Sequence, residues 1–258
     1  MHSVTISSIA VAAIAALPAV SAHGFVSGIV SGGKWYKGSD PNWFYGSSKP
    51  PTAGWYALNQ DNGFVAPDAY GTQDIACHIG ATPGTQSIPV KAGSSIDLQW
   101  NTWPDSHHGP VIDYLAKCSG SCSKVDKKSL SWGKIHQGGL LNDAVVPGKW
   151  ASDKLLANNI THTVKIPASV APGNYVLRHE IIALHGAGST NGAQNYPQCI
   201  NLKISGSGSG VPSGTPSTKL YKATDPGILV SIYQTLKSYK IPGPALWKGA
   251  KKAKRFAA

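Results

Sequence analysis

The strongest constraint on the fold is a rhythm of short β-branched and aromatic runs separated by glycine and proline. Ser95-Ile96-Asp97-Leu98-Gln99-Trp100, Thr161-His162-Thr163-Val164-Lys165-Ile166 and Gly173-Asn174-Tyr175-Val176-Leu177-Arg178 each alternate with a period close to two. That spacing turns every second side chain to one face of a strand. The punctuation comes from 29 glycines and 18 prolines, residues that end elements rather than extend them. No helical stretch of convincing length interrupts the pattern. Leu229 to Lys237 has room for a helical turn, but Pro226 and Pro242 bracket it. The expectation is an all-β chain, an immunoglobulin-like antiparallel β-sandwich with long surface loops.

The first 22 residues read differently. The apolar run Ile9 to Leu17 is too short to span a bilayer. It leads through Pro18 to Val20-Ser21-Ala22, small residues of the kind a signal peptidase reads, although the segment before it has no Lys or Arg. Residues 1–22 are therefore expected to be a secretory signal peptide, and the mature chain to be secreted and extracellular, with no membrane anchor. A single domain is expected over 23–247, of a length that suits one sandwich. Within it, the Gly/Ser-rich stretch 205–218 reads as a loop, and Lys219 to Trp247 is too short for a core of its own and is expected to wrap back over the sandwich.

Four cysteines, Cys77, Cys118, Cys122 and Cys199, imply two disulfides in an exported chain, with three pairings open. Cys118 and Cys122 flank a turn-like Ser-Gly-Ser, which suits a local bridge; Cys77 and Cys199 would then close a long loop. Uneven spacing and an oxidising compartment argue against a four-cysteine zinc site. The formal charge is +11, but Lys248, Lys251, Lys252, Lys254 and Arg255 crowd the end of the chain. Residues 248–258 are expected to be a basic, disordered tail, and no nucleic-acid partner is expected. Asn159-Ile160-Thr161 is the one N-glycosylation sequon.

The chemistry begins at His23, the residue that signal cleavage would leave first. An N-terminal histidine offers two nitrogen ligands, its α-amine and its ring, and the α-amine loses its proton more readily than lysine does. One further imidazole would complete a T of three nitrogens, an arrangement that favours copper. His107 and His108, side by side in "PDSHHGPV", lie in a loop framed by proline. Adjacent loop residues point different ways, so one of the two is expected to be the ligand. Farther on, Gln194 and Tyr196 lie two apart on a strand and share a face, with His185 a loop earlier. A phenol can serve as a weak axial ligand, and an amide and an imidazole can hydrogen-bond an oxygen co-substrate. The alternative for Tyr196 is a core tyrosine with a satisfied hydroxyl.

In "HGFV", "DSHHGPVIDYLAKCSGSC", "APGNYVLRHEIIALH", "GAQNYPQCINL" and "TDPGILVSIYQTLKSYKIPGPALW", taken in order, the chain resembles the fungal lytic polysaccharide monooxygenases of auxiliary activity family nine. The resemblance covers nearly all of the mature chain. It implies one copper ion held by His23 and by His107, the histidine that follows serine, with Tyr196 as axial ligand and His185 and Gln194 orienting the oxygen species. It agrees with bridges Cys77–Cys199 and Cys118–Cys122. It implies oxidative cleavage of β-1,4-glucan, chiefly cellulose, at C1 or C4, with O2 or H2O2 and a small-molecule or protein electron donor, by a monomer with a flat substrate-binding face. Tyr239 matches a surface tyrosine of the family; Tyr45 is expected as a second, with Trp43 as its substitute because the loop is shifted by one residue. A glycoside hydrolase would need a paired acid and base, and none of the 12 acidic residues sits in a motif suggesting one. A non-catalytic binding module would need the aromatics but not His23, His107, Gln194 and Tyr196 together.

Overall fold

The computed structural model describes residues 24–61 and 63–250. The expected signal segment 1–22, His23 and residues 251–258 of the expected tail 248–258 lie outside the described residues, whereas its first residues, 248–250, are described, with Gly249 O accepting from Ser169 Oγ. The strands are β1 (Val26–Ser31), β2 (Lys34–Lys37), β3 (Ile88–Lys91), β4 (Ser95–Trp100), β5 (Val111–Lys117) and β6 (Ser131–Gly138). They continue with β7 (Leu140–Asn142), β8 (Lys149–Trp150), β9 (Thr161–Lys165), β10 (Gly173–Ala183), β11 (Gln194–Ser205) and β12 (Thr215–Pro216). Among the described residues two α-helices interrupt them, α1 (Asp74–Cys77) and α2 (Ala151–Ala157).

A four-stranded sheet, in the order β2-β1-β4-β9, faces a six-stranded sheet, β12-β6-β5-β10-β11-β3, and β7 pairs with β8 apart from both. The three alternating runs of the sequence are β4, β9 and the first half of β10. The interface between the sheets is apolar: Ile29, Ile96, Leu98 and Val164 meet Leu115, Tyr175, Leu177, Ile181 and Leu202. Each such side chain, fully buried, contributes about 1.5–3 kcal/mol. The sandwich is antiparallel with one correction: β3 runs parallel to β11, Ile88 opposite Leu202. A parallel neighbour is reached by a crossover rather than a hairpin.

The six-stranded sheet is covered on its outer face as well, where Ile112, Tyr114, Val176 and Ile182 pack under α1, loops and the chain beyond residue 220. Hence β10 is buried from Tyr175 to Ala183 without alternation. Polar groups on that face are satisfied internally. Arg178 sets its guanidinium against both oxygens of Glu180, at 2.8 and 2.6 Å, and donates to the carbonyls of Ile75 and Ala76. Tyr221 and Asn195 also donate to Glu180. The buried Lys134 Nζ donates to the Pro242 carbonyl and to Gln137, and its backbone oxygen accepts from Trp247, so the C-terminal segment lies back on β6.

The disulfides are Cys77–Cys199 and Cys118–Cys122. α2 is a two-turn helix that the strand rhythm does not predict. Its Asp153 accepts the Trp150 backbone N–H at 2.8 Å, satisfying a donor at the helix start. Residues 229–237 form no helix. Among the described residues no helix is long and apolar enough to cross a membrane.

Candidate metal centre

The site stands at one end of the sandwich, where β10 ends opposite the start of β11, Ala183 facing Gln194 in register. The loop after β4 is fastened to this end. Leu184 N–H donates to His108 O, and Ile182 N–H to Pro110 O. Gly109 lies so close to β10 that a Cβ would fall 1.8 Å from Ile182 O, so only glycine lets the loop in. The result sets His107 beside His185, with ring centroids 4.0 Å apart and planes 33° from parallel.

The two adjacent histidines point apart. His108 pairs through Nδ1 with Asp153 of α2 at 2.8 Å. His107 is turned into the site and nearly buried. Its carbonyl accepts the Trp103 indole N–H at 3.1 Å, and Ser106 Oγ lies 3.2 Å from its Nδ1. With Nδ1 engaged by Ser106, a metal would take Nε2. Trp103 stands edge-on between His107 and Tyr196, with centroids at 5.9 and 5.1 Å. Tyr196 is buried, and its hydroxyl donates to Gln194 Oε1 at 2.7 Å. That leaves the Gln194 amide NH2 as the donating end of the side chain. Burial raises the Tyr196 pKa, so the phenol keeps its proton.

His23 lies outside the described residues, but the residue joined to it is pinned at this end. Gly24 is buried, and a Cβ on it would meet Thr102 O at 2.0 Å. Phe25 N–H donates to Asn101 Oδ1, and Asn101 N–H returns to Phe25 O. Val26 N–H donates to Gln198 of β11. The chain therefore enters the fold between the loop that carries His107 and the strand that carries Tyr196. The imidazole of His107 and the phenol of Tyr196 are nitrogen and oxygen donors of the kind a copper ion takes.

The expected aromatic surface residues separate. Tyr45 is 74% exposed at the end of a 3-10 turn, Pro41–Tyr45. Trp43 is packed edge-on to Tyr56 and Phe44, with the Lys49 ammonium 4.7 Å from its ring. Tyr239 is not an open ring: its hydroxyl donates to Gly227 O at 2.6 Å, and it packs edge-on to Trp150. Tyr233 in the same C-terminal stretch is 59% exposed, and the chain leading to it lies against the loop after His185, Val230 N–H donating to Ala187 O. Its motif, "SIYQTLKSY", holds two tyrosines six apart, and nothing local in the sequence says which ring is turned outward.

Comparison with known proteins defines the class. Residues 23–240 match the model of Auxiliary Activity family 9 (formerly GH61). The chain is 57% identical over 228 residues to AA9 family lytic polysaccharide monooxygenase A of Thermoascus aurantiacus, covering 88% of this chain and all of that one. It is 57% identical over 240 residues to the corresponding protein of Talaromyces verruculosus, covering 93% of this chain and 73% of that one. Among solved structures, the extended catalytic domain of H. jecorina LPMO9A superposes with a TM-score of 0.85 at 53% identity, covering 89% of this chain and 92% of that one. The chain belongs to auxiliary activity family nine. It is accordingly a lytic polysaccharide monooxygenase, a copper-dependent oxidoreductase that cleaves polysaccharide oxidatively with an oxygen co-substrate.

Proposed function

We propose that the mature chain, beginning at His23, cleaves cellulose or a related β-1,4-glucan at the site built on His107. The observation that carries this reading is the His107–His185 pair standing beside the Tyr196–Gln194 pair, at the end of the sandwich where Gly24 is buried against Thr102. His23, through its α-amine and ring, and His107 would hold one copper ion, with the Tyr196 phenol as a further, weaker donor. Copper there would supply a one-electron couple, fed by an external small-molecule or protein donor, for oxidation of a glucose unit at C1 or C4 with O2 or H2O2. The chain's own residues do the positioning. The Gln194 amide, its carbonyl end occupied by Tyr196, donates toward the oxygen co-substrate. His185, its ring beside and tilted against that of His107, would hold or pass a proton at a ring nitrogen. Tyr45 and Tyr233 supply exposed rings for stacking on sugars.

The rest of the assignment is consistent with export: a signal peptide over 1–22, one domain over 23–247, a basic tail over 248–258, and a monomer acting outside the cell. Asn159, exposed in the turn between α2 and β9, is placed to receive an N-linked glycan.

The test is the product spectrum. Copper-loaded mature protein, cellulose, a reductant and oxygen should release oxidised oligosaccharides, aldonic acids or C4 ketosugars, by mass spectrometry. His107→Ala should lower the yield by at least about a hundredfold. Unoxidised sugars released without reductant would overturn the reading.

A further inference from the structure

The outer face of the four-stranded sheet, turned away from the core, carries a groove of about 550 Å3 that the copper site does not use. Its floor is polar. Asp97 and Gln99 of β4 stand opposite Thr163 and Thr161 of β9 in register, and Ser27 of β1 lies beside them. The strand neighbours Ile96, Leu98 and Val164 are buried between the sheets, so the polar side chains share the outward face. Asn158 and Asn159, in the turn that leads into β9, complete the lining.

Trp35 of β2 reaches toward the groove from the other edge of the sheet. Its indole lies close over Gly28 of β1, where a Cβ would fall 2.4 Å from Nε1, and that N–H donates to Gln99 Oε1 at 3.1 Å. Glycine at 28 therefore lets the ring cross β1 to β4. The ring stays 55% exposed. β4 and β9 are neighbours, about 5 Å apart, so Asn159 and the indole flank one short span of the sheet. The polar groups between them are only half used. Asp97 Oδ1 accepts from Thr163 Oγ1 at 2.6 Å, and Gln99 Oε1 accepts from Trp35. Asp97 Oδ2, the Gln99 NH2 and the Asn159 side-chain amide make no hydrogen bond among the described residues.

An exposed indole beside an accepting carboxylate and a donating amide can hold a sugar. The C–H face of a pyranose lies on the ring, while its hydroxyls donate to the carboxylate and accept from the amide. The sequon decides which sugar arrives. A glycan on Asn159 is tethered at the groove, and tethering gives it a high effective concentration there, so a few weak contacts suffice to hold it. Resting on the assignment of a glycan to Asn159 above, we propose that this groove seats the first two sugars of that glycan, both N-acetylglucosamine, with Asp97 and Gln99 holding their polar edges and the Trp35 indole stacked on the second. The seated sugars cover the outer face of β4 and tie the turn before β9 to β2.

The experiment uses the copper-loaded mature chain secreted by a eukaryotic host. Mass spectrometry of the peptide containing Asn159 comes first; a bare Asn159 would overturn the glycan assignment and the seating with it. The folded, glycosylated protein is then treated with an endoglycosidase that cuts between the first two sugars. Cleavage should be at least about tenfold faster in Trp35→Ala and in Asp97→Ala than in the wild type. Trimming should lower the wild-type thermal midpoint by about 2–4 °C, and that of either variant by less than half as much. Asp97→Ala only shortens a side chain on the outer face and keeps the test decisive if Trp35→Ala fails to fold. With Asn159 occupied, equal cleavage rates in wild type and Asp97→Ala, or a wild-type midpoint that trimming leaves unchanged, would overturn the seating and leave the glycan assignment standing.

Discussion

Tyr196 shows how much one side chain's surroundings decide. Its ring is walled by Trp103 and its hydroxyl is committed to Gln194 Oε1. Burial holds it as a phenol, so it can be a weak neutral ligand and a hydrogen-bond donor but not a phenolate. Tyr196→Phe should keep the fold, costing about 1 kcal/mol for the lost hydrogen bond, while turnover falls about tenfold or more because Gln194 is no longer oriented. Thermal midpoints and initial rates on the same preparations check both halves. At this scale the sequence is legible where roles depend on residue type and spacing: Gln194 and Tyr196, two apart on a strand, do share a face. It is not legible where a role depends on a rotamer. Nothing in "SIYQTLKSY" reveals that Tyr239 gives its hydroxyl to Gly227 while Tyr233 stays exposed.

Among the elements, α2 does more for the site than its two turns suggest. Asp153 accepts the Trp150 N–H at the helix start and pairs with His108 through its other oxygen. Ser152 Oγ accepts from Gly109 N–H. The helix thus holds His108 out of the way while the loop presents His107. Asp153→Ala should cost about 1–2 kcal/mol and also lower copper affinity, read from denaturant midpoints and from copper titration. The strands were readable because β4 and β9 have one face on the core and so alternate. α2 was hidden because tertiary contacts, not propensity, support so short a helix. The parallel pairing of β3 with β11 was equally hidden, since pairing partners far apart in sequence leave no local trace. The copper-site loop was partly legible: Pro104 and Pro110 frame it in the sequence, but the need for glycine at 109 comes from Ile182 O on another strand.

Taken whole, the molecule should tolerate mild alkali better than acid. His78 is fully buried and its pKa is pushed down to about 4 by burial. His179 is lowered for the same reason. The unfolded chain binds protons at these rings near pH 6.5 and the folded one does not, so stability is present above that pH and falls as the pH drops. His78 alone accounts for a loss on the order of 3 kcal/mol between pH 6.5 and 4. Asp113, held well below the usual carboxylate range against its own desolvation by His162 and His179, adds a further loss below about pH 4. Unfolding midpoints measured from pH 8 to pH 3 should fall through this window, and His78→Gln should flatten the slope between 6.5 and 4. The sandwich as a whole was legible because its β-rhythm spans the mature chain. The Asp113 cluster was not: Asp113, His136, His162 and His179 lie on four strands and meet only when two sheets close.

On the proposed reading, an N-terminal His23 meets His107 at the end of the sandwich. Electron paramagnetic resonance of the mature chain with one equivalent of Cu(II), beside a variant carrying one extra alanine before His23, decides whether it does. The mature chain should give a tetragonal, nitrogen-ligated signal that the added residue weakens or alters, since a peptide nitrogen then replaces the amine. Identical spectra from the two proteins would contradict it.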